Sequence, residues 1–254
     1  MRTNFRKRLL NKEPMIGTLL TISGTEAAEI LSKSGFDWLF IDMEHSAIGL
    51  HDAQLMIQAA SPNAHCIVRV PGKDEIWIKR VLDIGAEGII VPQVNTPQEA
   101  RQVVNFAQYP PEGKRSAGIA KAQGFGTELN QYIENANKDI AIITQCEHKD
   151  GVKNLPEIVS IEGIDCIFIG PYDLSGSFNK LGKIDDPEVQ EAIETIKKTC
   201  HQADMATGIF GTQPDALKEH KKTGISLLAL STDSLMLSGS ARQLLNNMKS
   251  SSNV

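Results

Sequence analysis

The chain has 254 residues, 26 of them basic and 31 acidic, for a formal net charge of −5, with 41% apolar, 22% charged and 5% aromatic side chains. Such a balance excludes a mainly disordered chain, and the interspersed charges argue against binding nucleic-acid backbones. No apolar run approaches the roughly 18 residues that cross a bilayer, and a barrel of about 250 residues is an ordinary single domain.

Residues 1–10 are basic, like the start of a secretory leader, but Lys12, Glu13 and Pro14 interrupt the pattern. No small-residue cleavage site follows, so the chain reads as cytoplasmic. A first apolar run covers 15–22, and 27–33 has helical spacing closed by Gly35. Apolar runs follow at 38–42 and 66–70, then a helical stretch at 74–84 closed by Gly85. The run 88–92 leads into Thr96-Pro97-Gln98-Glu99, where a cap, a first-turn proline and a capping-box glutamate agree on a helix start. Residues 109–130 are Gly-rich and polar and read as an irregular excursion. Runs at 140–146 and 166–170 come next, then a helix opened by Asp186-Pro187-Glu188. The last runs are 206–210 and, after Gly224, 227–231, and residues 250–254 read as a frayed tail.

The runs are apolar on both faces, as strands of a parallel sheet covered by helices must be. Eight such units predict an α/β fold, a (β/α)8 TIM barrel filling residues 1–254 as one domain. A doubly wound sheet is the rival, but no Gly-rich dinucleotide or phosphate loop follows any strand. The four cysteines, Cys66, Cys146, Cys166 and Cys200, form no CxxC pair and read as small core residues in a reducing compartment.

A barrel places its active site at the C-terminal ends of the strands. Asp42-Met43-Glu44-His45 follows the second run, with His45 as the natural general base and Asp42 placed to orient its imidazole. A solvated acidic helix start is the plainer alternative for this cluster. Arg69, at the end of the third run, needs a buried partner: a carboxylate of a ligand, or a structural ion pair with Asp42 or Asp83. Gln145 and Glu147 follow the fifth run, and Asp173 follows the sixth, one unit later. Two converging carboxylates without a lysine between them suit a hard divalent cation with positions left for water and substrate. The alternative is that Asp173 only caps the next turn. None of the eight runs contains a lysine for Schiff-base chemistry, and Lys73 and Lys121 fall in loops, where they read as solvated. No GxSxG is present.

Ile41-Asp42-Met43-Glu44-His45, Val68-Arg69-Val70-Pro71, Val91-Pro92-Gln93-Val94, Gln145-Cys146-Glu147 and Ile169-Gly170-Pro171-Tyr172-Asp173-Leu174-Ser175 occur in order. Together they resemble the HpcH/HpaI aldolase family, metal-dependent class II pyruvate aldolases, over roughly residues 17–245. The resemblance implies a TIM barrel that cleaves a 4-hydroxy-2-oxo acid to pyruvate and an aldehyde through a pyruvate enolate. It implies a divalent cation (Mg2+, Mn2+ or Co2+) on Glu147 and Asp173, with Gln145 near it. Arg69 then steadies the pyruvate oxygen, His45 is the base with Asp42 as its partner, and the backbone around Pro171, Tyr172 and Asp173 receives the carboxylate. It also implies a homo-oligomer, commonly a hexamer with the site at a subunit boundary. The family's Gly-x-Arg-Gly-x-Gly stands here as Gly113-Lys114-Arg115-Ser116-Ala117-Gly118, and its Ala-Arg-Ala as Ala120-Lys121-Ala122. Both departures bear on the aldehyde half. An acyl-CoA lyase of the citryl- or malyl-CoA type and a catalytically silent oligomeric barrel are the alternative readings.

Overall fold

A computed structural model describes residues 3–250. Eight strands close into a parallel barrel in sequence order. They are β1 (Met15–Leu20), β2 (Trp38–Asp42), β3 (His65–Arg69), β4 (Gly88–Val91), β5 (Ala141–Cys146), β6 (Cys166–Ile169), β7 (Ala206–Gly211) and β8 (Leu227–Thr232). The helices are α1 (Phe5–Leu10), α2 (Thr25–Ser32), α3 (Leu50–Ala60), α4 (Glu75–Asp83), α5 (Pro97–Ala107) and α6 (Leu129–Asp139). They continue as α7 (Lys149–Ile158), α8 (Pro171–Ser177), α9 (Pro187–Gln202), α10 (Pro214–Lys222) and α11 (Asp233–Ser250). The expected barrel is therefore present, and each expected run contains or overlaps one strand.

Local chemistry sets the joints. Asp74 accepts from the backbone N–H groups of Ile76 and Trp77 to open α4, and Thr96 and Glu99 form a reciprocal capping box on α5. Gly35, Gly85 and Gly224 follow α2, α4 and α10 with φ near +95°, the left-handed turn that sends the chain back to the sheet.

Alternation along the strands divides the core. Leu39, Ile41, Cys66, Val68, Ile89 and Ile142 point outward to the helices. Trp38, Phe40, Ile67, Ile90, Ile143 and Phe168 fill the barrel. Two glycines make room for that filling: a Cβ on Gly17 would lie 2.5 Å from the Trp38 indole, and one on Gly208 2.4 Å from Phe168. Beneath the barrel, α1 inserts Phe5 and Leu9, both fully buried, and Arg6 clamps it to Asp165 at 2.9 and 3.0 Å.

The structure departs from expectation in three places. Within the basic start, Phe5–Leu10 form a plug beneath the barrel. The excursion 109–130 contains a 3-10 turn, Lys121–Gly126, and its end already belongs to α6. The expected tail begins on Ser250, the last residue of α11, and residues 251–254 lie outside those described.

Candidate functional site

The inward alternation continues past the apolar filling and brings polar residues to the barrel mouth. Trp38 and Phe40 point inward, so Asp42 does too. His65 and Ile67 put Arg69 inside, and Ala141 and Ile143 do the same for Gln145. Asp42 and Arg69 are paired in register across β2 and β3. The Arg69 guanidinium donates from Nε and Nη2 to the two Asp42 oxygens, both at 2.8 Å, a bidentate fork. Its Nη1 donates to Gln145 Oε1 at 3.3 Å, and Glu44 Oε2 lies 3.3 Å from Nε. Burial works against the Arg69 charge, but the bonds to Asp42 and the nearby Glu44 and Glu147 outweigh it and hold the guanidinium charged.

Asp42 is thus the partner of Arg69 in this structure. Asp83 pairs with Arg115 instead, at 2.7 Å. Asp42 bonds to the backbone of His45 rather than to its imidazole in this structure. Its carboxylate is occupied by Arg69 and by the backbone N–H groups of Glu44 and His45, at 3.0 and 3.3 Å. The His45 ring, 63% exposed at the mouth, instead has Nε2 3.5 Å from Glu44 Oε2.

Glu147, 2% exposed, accepts from the Gln93 N–H at 2.8 Å through Oε1 and from Gln145 Nε2 at 2.7 Å through Oε2. Burial pushes its carboxyl up to about 7, with Asp173 and Glu44 adding repulsion that the Gln93 bond and Arg69 only partly offset. Burial likewise raises Glu44. Asp173 stands exposed in the first turn of α8, where Gly170 holds the cap position, so Asp173 is not there as a cap. A Cβ on Gly170 would lie 2.6 Å from Glu147 Oε2, so only glycine leaves the carboxylate its space.

A cavity of about 350 Å³ opens at the barrel mouth. Phe40 and Phe168 form its floor, His45, Arg69, Gln145 and Asp173 its polar wall, and Leu19, Phe210 and Tyr172 its apolar rim. Among the described residues no three His, Cys, Asp or Glu side chains are grouped as a closed metal cage. The set that could hold a cation is Glu147 and Asp173 with the Gln145 amide beside them. Two oxygen donors, one of them pushed up to about 7 chiefly by burial, fit a hard divalent cation that keeps open positions.

Three contributors were not singled out from sequence: Glu44, Gln93 and Lys73. Glu44 sat inside the cluster already noted, and its burial is set by the tertiary fold. Gln93 acts through its backbone, which leaves no mark in residue type. Lys73 is not solvated as expected: it donates to Gln93 O at 2.7 Å and pairs with Glu99.

A family model described as HpcH/HpaI aldolase/citrate lyase matches residues 17–238. The chain is 37% identical, over 252 residues, to 2-keto-3-deoxy-L-rhamnonate aldolase of Escherichia coli O1:K1 / APEC, covering 98% of this chain and 94% of that one. Its fold is similar to that of an HpcH/HpaI aldolase/citrate lyase family protein from Burkholderia cenocepacia J2315, with a TM-score of 0.93 and 34% identity over 96% of this chain and 98% of that one. An HpcH/HpaI aldolase from Desulfitobacterium hafniense DCB-2 is also similar, with a TM-score of 0.90 and 25% identity over 98% and 97%.

Proposed function

The chain belongs to the HpcH/HpaI aldolase/citrate lyase family and is a carbon–carbon lyase that cleaves oxo acids to pyruvate and an aldehyde; from that premise we propose how the barrel mouth performs the cleavage. The observation that carries the proposal is the Arg69 guanidinium braced by Asp42 and Gln145 beside the buried Glu147.

Retro-aldol cleavage of a 4-hydroxy-2-oxo acid removes the C4 hydroxyl proton and breaks the C3–C4 bond. The electron pair moves into an enolate whose oxygen gains negative charge. Arg69 has five N–H groups, and the fork to Asp42 and the bond to Gln145 leave one hydrogen on each of Nη1 and Nη2. These face the cavity and meet the developing oxyanion. Because Asp42 fixes the fork in advance, little reorganisation accompanies the charge, which is the condition for electrostatic catalysis. His45, exposed on the rim, takes the hydroxyl proton. Asp42 serves that base indirectly, by tying down its backbone N–H.

The substrate carboxylate is received at the start of α8. Pro171 has no N–H, so Tyr172 and Asp173 supply the first donors there. A divalent cation (Mg2+, Mn2+ or Co2+) held by Glu147 and Asp173, with Gln145 beside it, would supply fixed positive charge next to the oxo group. The Phe40 and Phe168 floor keeps water from beneath the enolate.

The substrate of the Escherichia coli relative points to a polar sugar-derived oxo acid as the class bound here. The chain acts as a single barrel domain in the cytoplasm, and its four buried cysteines, none of them in a disulfide, suit a reducing compartment. No helix among the described residues is long and apolar enough to cross a membrane. We propose a homo-oligomer, on the exposed apolar residues of α11 and of the 109–130 segment.

Exchange of the pyruvate methyl protons in heavy water, followed by proton NMR with and without Mg2+ or Mn2+, tests the enolate half without knowledge of the aldehyde. The expected result is exchange that requires metal and is lowered about 100-fold or more in Arg69→Lys, whose ammonium cannot reproduce the fork. Full exchange in Arg69→Lys would remove Arg69 from this role.

A further inference from the structure

Lys73 lies outside the catalytic wall, in the loop between β3 and α4, yet it bonds toward the site. Its ammonium donates to the backbone carbonyl of Gln93, 2.7 Å away in the loop after β4. The N–H of the same Gln93 donates to Glu147 Oε1 at 2.8 Å. One residue thus links the lysine to the carboxylate, through its C=O on one side and its N–H on the other. Gln93 holds φ of +54°, a left-handed conformation that a glutamine adopts only when its surroundings impose it.

The surroundings here are specific. Glu99 pairs with Lys73 through one oxygen, and through the other it accepts from the N–H groups of Asn95 at 2.8 Å and Thr96 at 3.1 Å. The loop 93–96 is therefore gripped at both ends by one lysine and one glutamate. Asn154 adds a bond to Asn95 O at 2.8 Å. An exposed Lys–Glu pair alone is worth little. The bond to a strained carbonyl whose own N–H holds a site carboxylate gives this pair a different task.

We propose that Lys73 is a positioning residue, which fixes the Gln93 peptide so that its N–H aims Glu147 Oε1 for a divalent cation. The assignment rests on the reading of Glu147 as a cation ligand. Lys73 touches neither substrate nor cation and acts only through Gln93. Partners that orient a ligand are typically worth about 10- to 100-fold in metal affinity.

The test titrates Mn2+ into metal-free wild type, Lys73→Met and Lys73→Arg by calorimetry. In parallel, the Mn2+ dependence of pyruvate methyl exchange and the melting temperature are recorded. Lys73→Met is expected to bind Mn2+ about tenfold more weakly, with the Mn2+ concentration for half-maximal exchange raised by a similar factor. Its deficit in exchange narrows as Mn2+ is raised, and Lys73→Arg, which keeps donors in reach of both Gln93 O and Glu99, recovers most of the affinity. Should Lys73→Met not fold, Glu99→Gln, which keeps an acceptor for Asn95 and Thr96, is expected to shift Mn2+ affinity in the same direction. Unchanged Mn2+ affinity in the folded variants overturns the role of Lys73, as does a loss of exchange equal at every Mn2+ concentration. A wild type that binds no Mn2+ overturns the reading of Glu147 beneath it.

Discussion

At the scale of the residue, Glu147 is a carboxyl group that its own burial works against. Its carboxyl ordinarily titrates at 4.5, and burial beside Asp173 and Glu44 moves it to about 7. Between those values the unfolded chain has released the proton and the folded chain still binds it. Stability of the metal-free protein therefore falls as pH rises from about 4.5 to 7 and levels off above, a contribution of about 3 kcal/mol. Calorimetric melting at pH 5 and pH 8 reads this as a fall on the order of 5–10 °C, which Glu147→Gln lacks and saturating Mn2+ abolishes. An equal fall in Glu147→Gln would show that the penalty lies elsewhere. The positions of Asp42, Arg69, Gln145 and Glu147 were legible in the sequence, because strand alternation and the strand-end rule need only their places along the chain. The choice between Arg69 and His45 as the partner of Asp42, both of them readable candidates, was not. His45 is its neighbour along the chain, but Arg69 is its neighbour across the sheet, and a bidentate fork in register outcompetes a single bond to an exposed ring.

At the scale of the element, strands and helix starts were readable where local chemistry repeats itself. Val91, Thr96 and Gly85 each end or begin an element for a reason contained within a few residues. The first helix was unreadable for the opposite reason. Six residues cannot hold a helix in water, so α1 exists because the barrel floor receives Phe5 and Leu9. The Phe5 ring lies tilted against His65 at 5.4 Å and Trp38 at 6.2 Å between centroids, both at the start of their strands. The plug is thus part of the core that fixes the strand bottoms, and the mouth inherits its geometry from those strands. Phe5→Ala is expected to cost about 3–5 kcal/mol, measured by urea unfolding, because the site cannot collapse beneath a closed barrel. A cost below about 1 kcal/mol would mean that α1 merely covers the floor.

At the scale of the whole molecule, eight alternating runs were enough to give the barrel, since no other architecture buries eight parallel strands with this spacing so simply. Assembly was carried only by family resemblance, because the surface that supports it is a matter of what the fold leaves uncovered. The last helix, α11, buries Asp233 alone. That carboxylate ties it to the N–H groups of Thr21 and Ile22 at 2.9–3.0 Å. Beyond this anchor Leu235, Leu237, Leu244, Leu245 and Met248 lie exposed, and Leu237, Leu244 and Met248 recur at seven and four residues on one face. A groove lined by Ile16, Leu217, Leu228 and Leu230, with Lys218 and Lys221, lies open between β1, β8 and α10. Ile119 and Phe125 add exposed apolar surface in the excursion. Single exposed apolar residues are ordinary, but large apolar side chains recurring on one face of an 18-residue helix suit an interaction surface. The occupant proposed here is a second copy of the chain. Sedimentation velocity of the wild type is expected to show an oligomer, and Leu237→Lys combined with Leu244→Lys a smaller species that keeps its helical circular dichroism. A wild type sedimenting as a monomer across micromolar concentrations would remove the assembly. An unchanged oligomer in the double variant would move the interface from α11 to the 109–130 segment.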